Sequence, residues 1–226
     1  MRKLAVRDLG LVRYREALTL QQELAAQRKR GEGVDHLLLL EHPHVLTLGR
    51  NAHPENLLVS RERLDELGVD LVEIDRGGDI TYHGPGQIVG YPIIDLRFWK
   101  RDVVAYIRGL EEVALRALKR FGITAARDLT ATGVWVEGAK ICAMGVHISR
   151  WVTTHGFALN WTTDLRRFDY IVPCGLARPV TSMQKLGVRA ERSAVVNALA
   201  AAFAEVFEYE PATVDEPSLA PLYGLG

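Results

Sequence analysis

Short apolar runs that follow one another with little helix between them are the feature that most constrains how this chain can fold. Seven runs are rich in the residues that form strands. They are Leu37–Leu40, Val45–Leu48, Leu71–Ile74, Ile88–Ile94, Gly133–Val136, Ile141–Ile148 and Thr154–Asn160. A doubly wound parallel sheet would need a helix between consecutive strands. We therefore expect an α+β fold, with helices packed on a mixed, largely antiparallel sheet.

Amphipathic periodicity predicts the helices that cover this sheet. The predicted spans are Val12–Arg28, Asp102–Arg120 and Arg192–Phe207, together with a shorter helix over Arg61–Leu67 that has Ser60 as its N-cap. Glu137-Gly138 separates two strand-like runs and predicts a tight hairpin turn. No linker or repeat divides the chain. We expect one domain over residues 1–226, with an irregular tail from about residue 208, where the prolines Pro211, Pro217 and Pro221 follow.

The charge and cysteine content excludes several classes of protein. Lys plus Arg number 28 and Asp plus Glu number 28, so no global field attracts nucleic acid or an anionic membrane. Apolar runs such as Leu37–Leu40 are too short to span a bilayer, and the N-terminus lacks the apolar core of a signal peptide. Two cysteines do not make a disulfide framework, and no Cys/His spacing resembles a metal site. We expect a cytoplasmic protein with reduced thiols and no bound metal.

A glycine-rich stretch, Asp75 to Gln87, is the densest cluster of unusual residues. It reads Asp-Arg-Gly-Gly-Asp-Ile-Thr-Tyr-His-Gly-Pro-Gly-Gln and lies between two strand-like runs. Glycine lets a ligand approach the main chain closely. An ordinary turn would not need the Arg and His that this loop also carries. It is not a phosphate loop, because the Lys-Ser/Thr ending is absent. The stretch is typical of a ligand-binding loop.

The second stretch combines a lysine with a possible cysteine nucleophile. Lys140 and Cys142 share one face of a strand, and a nearby ammonium group favours thiolate over thiol. Cys142 lies within an apolar run, where cysteines are usually inert. Cys174, between Pro173 and Gly175, lies in a stretch with turn chemistry that could expose it. The local chemistry favours Cys174 over Cys142 without excluding either.

The third stretch, His155 to Trp161, places a glycine before Phe157 inside a strand-like run. Glycine in a strand indicates close approach of another group, so Phe157 could form the wall of an apolar pocket. Ordinary core packing is the alternative for Phe157 and Met144. His42 and His44 flank a proline, and nothing in the sequence separates a functional from a structural role for them.

These stretches together resemble the lipoyl(octanoyl) transferases, the octanoyl-acyl-carrier-protein:protein octanoyltransferases of lipoate biosynthesis. The matching segments occur in the family's order and cover roughly residues 35–185. They are Glu41-His42-Pro43 to Thr47-Leu48-Gly49-Arg50, Arg76-Gly77-Gly78 to Tyr82-His83-Gly84-Pro85-Gly86-Gln87, Lys140 to Gly145, Gly156-Phe157-Ala158-Leu159-Asn160 and Pro173-Cys174-Gly175. Asp79 stands where the family commonly has another polar residue, often an amide.

The resemblance implies the fold of the catalytic domain of biotin and lipoate protein ligases. It implies that Cys174 carries the acyl group as a thioester and that Lys140 lowers the pKa of this thiol. The substrate-binding positions that it implies are Arg76, Gly77, Gly78, Asp79, Ile80, Thr81, Tyr82, His83, Ala143, Met144, Gly145, Gly156, Phe157 and Ala158. The implied donor is octanoyl-acyl carrier protein. The implied acceptors are lipoyl domains of 2-oxoacid dehydrogenases and the glycine-cleavage carrier protein, and no cofactor takes part.

Three further expectations concern how such a site would work. A tunnel lined by Phe157, Met144 and Leu46 would favour octanoyl over shorter chains, because each buried methylene contributes about 0.8 kcal/mol. A main-chain N–H, assisted by His83, would stabilise the tetrahedral oxyanion. The residues expected to meet an acidic carrier protein are Arg150, Arg166 and Arg167.

Other classes of protein would use the same residues differently. An ATP-dependent ligase of this fold would not need Cys174. A binding module would hold an acyl chain without forming a covalent adduct. A cysteine hydrolase would pair Cys174 with a histidine such as His83 and would use water as the acceptor.

Overall fold

The computed structural model describes residues 2–172, 178–210 and 214–215. The strands are Leu4–Leu11 (β1), Asp35–Glu41 (β2), Val45–Leu48 (β3), Asp70–Glu73 (β4), Ile80–His83 (β5), Gln87–Ile93 (β6), Ala126–Arg127 (β7), Val134–Val136 (β8), Ala139–Ser149 (β9), Val152–Asn160 (β10) and Val214–Asp215 (β11). The helices are Tyr14–Lys29 (α1), Arg61–Glu66 (α2), Val103–Lys119 (α3) and Arg192–Val206 (α4). Short 3-10 segments cover Pro54–Asn56, Leu96–Phe98 and Leu165–Tyr170.

Two sheets organise the described part of the chain. The larger has the strand order β11-β1-β2-β6-β10-β9-β8-β7, and the smaller has the order β4-β3-β5. In the large sheet β1 is parallel to β2 and β11, while every other neighbouring pair is antiparallel. The predicted α+β fold with a mixed, largely antiparallel sheet is confirmed.

Helices cover both faces of the large sheet, because its strands present apolar side chains on both sides. On one face, α3 and α4 pack over a core that includes Leu37, Leu39 and Phe157. On the other face, α1 packs over alternating residues of the same strands, among them Leu38, Leu40 and Tyr91. The alternation along β2 follows the period of two that every strand imposes. None of the helices in the described segments is long and apolar enough to cross a membrane.

The predicted N-cap at Ser60 and the predicted hairpin turn at Glu137-Gly138 are both confirmed. The Ser60 hydroxyl accepts a hydrogen bond from the Arg63 N–H at 3.2 Å and caps α2. The Asp102 carboxylate accepts from the Ala105 N–H at 3.0 Å and caps α3 in the same way. At the predicted hairpin turn both Glu137 and Gly138 have positive φ, 50° and 78°, which is the conformation of a type I′ turn.

Four strands were not predicted, and the two longest of them are β1 and β5. β1 carries charged residues along its length and is buried mainly at Val6 and Asp8, so no apolar run marks it. β5 lies inside the glycine-rich stretch and is a strand because it pairs with β3, with His83 opposite Val45. In both strands the pairing partner, and not the local sequence, determines the structure.

Most of the C-terminal tail lies outside the described residues. Val214 and Asp215 form β11, which pairs in parallel with Val6 and Arg7 of β1. The single-domain organisation over residues 1–226 remains a prediction.

Candidate active site

A cavity lies where the two sheets and α1 meet, and we call it the inner cavity. Its free space between atoms is about 470 Å³, including its mouth. It is lined by Tyr14, Arg76, Gly78, Thr81, His83, Val89, Tyr91, Ala143, Met144, Gly145, His155, Gly156, Phe157 and Ala158. Residues from all three predicted stretches therefore meet at one place, although Arg76 and Ala158 are 82 positions apart in the sequence.

The alternation of β5 decides which residues of the glycine-rich stretch reach the inner cavity. Thr81 and His83 line it. Ile80 and Tyr82 point to the opposite side, where they pack with Phe168 in a separate core. The Tyr82 hydroxyl forms a 2.7 Å hydrogen bond with Nδ1 of His44 there. For Ile80 and Tyr82, substrate binding stays a prediction that this placement does not favour.

Asp79 and Arg76 hold the loop in place through hydrogen bonds. The Asp79 carboxylate accepts from the N–H groups of Ile80 at 2.7 Å and His53 at 3.1 Å, and from the Asn56 side chain. The Arg76 guanidinium donates from Nη2 to the carbonyl and hydroxyl of Thr47, at 2.9 and 3.0 Å. These contacts fix the loop before any ligand binds.

Glycines allow this loop to lie directly against the sheet. The Gly77 N–H donates to the Val146 carbonyl of β9 at 2.9 Å. A Cβ on Gly145 would stand 3.0 Å from Cδ of Arg76, and a Cβ on Gly49 would stand 2.3 Å from the Gly78 carbonyl oxygen. The cavity wall at Gly78 and Gly145 is therefore largely main chain.

Polar side chains of the inner cavity are hydrogen-bonded to groups behind its wall. Nδ1 of His42 donates to the Val12 carbonyl at 2.7 Å, so Nε2 accepts from the Tyr91 hydroxyl at 2.8 Å. Nε2 of His155 lies 2.8 Å from the Asp75 carboxylate, and Nδ1 lies 3.4 Å from the Tyr14 hydroxyl. Because their polar atoms are partnered, Tyr14 and Tyr91 present mainly apolar ring surface to a ligand.

His83 is held as a neutral acceptor. Burial lowers its pKa to about 3, and the nearby His42 acts in the same direction. Its Nδ1 donates to Oε1 of Gln87 at 2.7 Å, so in the neutral ring Nε2 carries no hydrogen. The expectation that His83 donates to an oxyanion is therefore wrong for this geometry. The ring can accept a hydrogen bond at Nε2, but it cannot donate one from that nitrogen.

A second opening, which we call the outer groove, lies on the α3 side of β9. It is lined by Gly77, Gly78, Val103, Ile107, Ala131, Thr132, Lys140, Ala143, Met144, Gly145 and Val146, and its free space is about 1060 Å³ including the mouth. Gly78 and the three residues Ala143 to Gly145 line both openings. The two spaces are thus neighbours separated by one short stretch of β9 and one glycine.

Lys140 reaches the outer groove from a half-buried position near the start of β9. Its Nζ lies 4.7 Å from the centre of the Trp135 ring, a cation–π distance. Its main-chain N–H donates to the Pro179 carbonyl at 2.9 Å, and its carbonyl accepts from the Thr181 N–H at 2.9 Å. The chain that follows residues 173–177 is therefore paired with Lys140 itself.

Cys174 lies outside the described residues, but the chain on both sides of it is anchored. Before it, the Val172 N–H donates to the Asn56 carbonyl at 2.8 Å, beside the loop that Asp79 holds. After it, Pro179 and Thr181 are paired with Lys140. The role of Cys174 stays a prediction.

Cys142, the competing thiol, is fully buried. It packs in the core beneath α3 and α4, and burial raises the pKa of its thiol well above the usual range. A thiol that is neutral and inaccessible cannot serve as a nucleophile. The packing of β9 thus argues against Cys142 as the nucleophile, a choice between two cysteines that the sequence had left open.

Leu46 does not line the inner cavity, so its assignment to an acyl tunnel is wrong. Leu46 is fully buried with Leu64 and Tyr82 in the core of the small sheet. Phe157 does line the cavity, and its ring also packs over Gly90 of β6: a Cβ there would stand 2.2 Å from Cζ of Phe157.

The three arginines expected to meet an acidic carrier protein come from two parts of the chain. Arg150 follows the end of β9, ten residues from Lys140, and ten residues of extended strand correspond to about 33 Å. Arg166 and Arg167 both pair with Asp164, at 2.8 and 3.8 Å. Two of the three charges are therefore partly compensated, and contact with a carrier protein stays a prediction.

The described residues contain no group of three or more His, Cys, Asp or Glu side chains that could hold a metal ion. Sequence reasoning missed Tyr14, Val89, Tyr91 and His155 as cavity residues. Their signal in the sequence was only apolar periodicity or a strand position, which does not distinguish a cavity wall from a core.

The comparisons with known proteins agree with this fold. Residues 13–204 match the model of the lipoyl protein ligase A/B catalytic domain. An octanoyltransferase of Solibacter usitatus is 57% identical over 93% of this chain and 96% of its own length. An octanoyltransferase of Chloroflexus aurantiacus is 49% identical over 93% of this chain and 97% of its own length.

Solved structures show a similar fold at low sequence identity. A lipoate-protein ligase A bound with ATP superposes with a TM-score of 0.72 at 18% identity, over 95% of this chain and 88% of that one. A biotin protein ligase from Aquifex aeolicus gives 0.52 at 10% identity, over 92% and 69%. The chain belongs to the octanoyltransferases of the lipoyl protein ligase A/B catalytic-domain family, and it is an acyltransferase.

Proposed function

We propose that this chain transfers an octanoyl group from octanoyl-acyl carrier protein to a lysine of a lipoyl domain, through a thioester on Cys174. One observation supports this most directly. Lys140 faces a groove that adjoins the inner cavity, and its main chain is paired with the residues that follow Cys174. An ammonium group, an apolar cavity and a cysteine-bearing segment are the parts that acyl transfer through a thioester requires.

In the first half-reaction, the Cys174 thiolate attacks the carbonyl carbon of the donor thioester. The bond from that carbon to the carrier's sulfur breaks, the carrier leaves as a thiolate, and it takes up a proton. The positive charge of Lys140 favours the Cys174 thiolate over the thiol, which is the reason for a lysine at this place.

In the second half-reaction, the neutral amine of the acceptor lysine attacks the Cys174 thioester. The new amide bond forms, the bond from carbon to Cys174 sulfur breaks, and the amine loses a proton as the thiolate is regenerated. Lys140 can move that proton between the groups. No nucleotide enters either step, because the energy of the donor thioester drives amide formation.

The inner cavity would hold the acyl chain. Its ring surfaces from Tyr14 and Tyr91 and its side chains Val89 and Met144 bury methylene groups, each of which contributes about 0.8 kcal/mol. For this role the partnered hydroxyls of Tyr14 and Tyr91 matter, because an unpartnered polar group facing the chain would cost about 1–3 kcal/mol.

The acceptors we propose are lipoyl domains of 2-oxoacid dehydrogenases and the glycine-cleavage carrier protein. The proposed donor and acceptors are proteins that carry acyl and lipoyl groups, so the proposed reaction needs neither a nucleic acid nor a membrane. We also propose a cytoplasmic location, because a thiolate nucleophile requires a compartment that keeps thiols reduced.

The test is an intact-mass experiment in two stages. The protein is incubated with octanoyl-acyl carrier protein, and the octanoyl adduct is measured before and after hydroxylamine, which cleaves thioesters. A lipoyl domain is then added. The proposal expects a labile adduct that disappears from the enzyme and appears on the lipoyl lysine.

Three variants make this test specific. Cys174→Ala should form no adduct, whereas the matched thiol variant Cys142→Ala should form it normally, because Cys142 is buried. Lys140→Met should form the adduct more slowly, with a pH profile moved toward alkaline pH. Transfer that needs free octanoate and ATP and survives Cys174→Ala would show a ligase instead. An adduct that water removes without a lipoyl domain would show a hydrolase.

A further inference from the structure

The segment between β6 and α3 presents an exposed surface that nothing described above uses. Phe98, Val103 and Val104 are exposed large apolar side chains, at 63%, 44% and 69% of their accessible surface. Lys100 and Arg101 lie between them in sequence and are also exposed. We call these five residues the α3 patch.

The two cations of the α3 patch differ from the basic residues around them. Most neighbouring arginines have a carboxylate partner within 2.9 Å: Arg97 with Asp95, Arg108 with Glu111, Arg127 with Glu112 and Arg178 with Asp128. Neither Lys100 nor Arg101 has an ion pair with another described residue. The nearest aromatic partner of Lys100 is Trp99, with Nζ 5.0 Å from the ring centre. Asp102, between Arg101 and Val103, is also exposed, so the patch carries two cations against one carboxylate and its net charge is positive.

The α3 patch is continuous with the path to the active site. Val103 belongs to the patch and also lines the outer groove, together with Ile107 one turn further along α3. Lys140 lines the same groove, and Met144 connects it to the inner cavity. A protein resting on the patch could extend a flexible arm along the groove to Lys140.

We propose that the α3 patch docks the acyl donor, an acidic carrier protein whose thioester arm enters through the outer groove. This inference rests on the proposed function, since it assumes a carrier-bound acyl group. Lys100 and Arg101 provide charge complementary to an acidic surface, which mainly raises the rate of encounter. Phe98 and Val104 provide the apolar contact that a short-lived complex needs at its centre. The outer groove receives the arm.

The experiment compares two donors that share the arm but differ in the protein. The double variant Lys100→Glu/Arg101→Glu and the wild type are acylated by octanoyl-carrier protein and, separately, by octanoyl-pantetheine. The proposal expects acylation from the carrier protein at subsaturating concentration to fall by about tenfold or more at low salt. Acylation from octanoyl-pantetheine should change by less than about twofold, because rim charges act on encounter and not on the chemistry.

Salt gives a second readout. Acylation of the wild type by the carrier protein should slow as ionic strength rises, while the double variant should lose most of this dependence. The matched control is Arg13→Glu/Arg15→Glu, which makes the same charge change at two exposed residues at the start of α1, on the other face of the large sheet from α3. It should retain the wild-type rate with both donors.

Several outcomes would overturn the proposal. Equal rates for wild type and double variant with the carrier protein would show that the patch does not meet the donor. An equal fall in the acylation rate with both donors would show that the double variant alters the active site and not the docking of the donor. A rise only in the KM for the lipoyl domain would assign the patch to the acceptor. If the wild type itself takes no octanoyl group from the carrier protein, the proposed function fails, which is a distinct result.

Discussion

Asn160 of β10 and Gln87 of β6 lie opposite each other in the sheet, and Nε2 of Gln87 donates to Oδ1 of Asn160 at 2.9 Å. This bond is the middle of a longer chain. At one end, Nδ2 of Asn160 donates to the Thr181 carbonyl at 3.0 Å, and the Thr181 N–H donates to Lys140. At the other end, Oε1 of Gln87 accepts from His83. A continuous network of hydrogen bonds thus connects the main chain of Lys140 with the His83 ring and fixes the tautomer of that ring.

The first prediction concerns that network. Gln87→Leu removes the acceptor of His83 and the donor to Asn160, leaving buried polar groups unpaired. Each such group costs about 1–3 kcal/mol, so the free energy of unfolding should fall by at least that amount. Urea denaturation measures this loss of stability. The ¹⁵N chemical shifts of the His83 ring should show a mixture of tautomers, with the hydrogen on Nδ1 in only part of the molecules.

Gln184→Leu is the matched control, because Gln184 is exposed and its side chain forms no hydrogen bond with another described residue. It should change stability little. If Gln87→Leu leaves both the stability and the His83 ring nitrogens as in the wild type, the network does not determine the tautomer.

The second prediction is a loss of stability in mild acid. Burial lowers the pKa of His42 from 6.5 to about 4 in the folded chain. Between these values the unfolded chain binds a proton at His42 and the folded chain does not. The free energy of unfolding therefore decreases as pH falls from about 6.5 to about 4, by on the order of 3 kcal/mol for this residue.

Urea midpoints between pH 7.5 and 4.5 test the sign. His42→Gln should lower the pH slope because its side chain does not titrate. Gln184→Leu should keep the wild-type slope, since it replaces an exposed side chain that does not titrate. An unchanged slope in His42→Gln would contradict the prediction.

The third prediction concerns the packing of Phe157 on Gly90. In Gly90→Ala the new methyl group would stand 2.2 Å from the Phe157 ring. Overpacking of this kind costs about 1–3 kcal/mol. The second change Phe157→Leu should recover part of that loss, because it removes the atoms that clash. Thermal unfolding of both single variants and the double variant measures the coupling; losses that merely add would show that the ring is not what the methyl group meets.

The fourth prediction concerns the buried thiol. Because Cys142 is fully buried and its pKa is raised, iodoacetamide should leave it unmodified in the native protein at pH 8. Unfolding in urea should expose it to alkylation. Peptide mapping distinguishes the two cysteines, and N-acetylcysteine in the same tube gives the rate of a free thiol. Native-state labelling of Cys142 near that rate would contradict its burial.

How far the sequence determined the fold depends on how local each signal is. The spans of α3 and α4 followed from periodicity, and their observed bounds differ from the predicted ones by one residue or none. β1 and β5 could not be predicted because their strand structure comes from partners far away in sequence. A stretch of ten residues does not show with which distant strand it will pair.

The site was predictable where a residue's chemistry is unusual, and not elsewhere. Arg76, His83 and Lys140 attract attention because a structural loop or strand does not need them. Tyr14 and Tyr91 were not predicted, since an aromatic residue on an amphipathic face is equally suited to a core. Leu46 was wrongly assigned to the acyl tunnel. Its side chain packs in the core of the small sheet, and the sequence alone did not reveal toward which side of β3 it points.

The glycines at the cavity wall have a consequence for altering acyl-chain preference. Gly145 and Gly156 are opposite each other on β9 and β10, and a Cβ on Gly156 would stand 2.2 Å from the Gly90 carbonyl oxygen. A residue without a side chain cannot be trimmed further. Under the proposed function, substitution of either glycine can only narrow the inner cavity and shorten the acyl group that fits in it. A search for variants that accept longer acyl groups should therefore vary Met144, Val89 and Tyr14 instead.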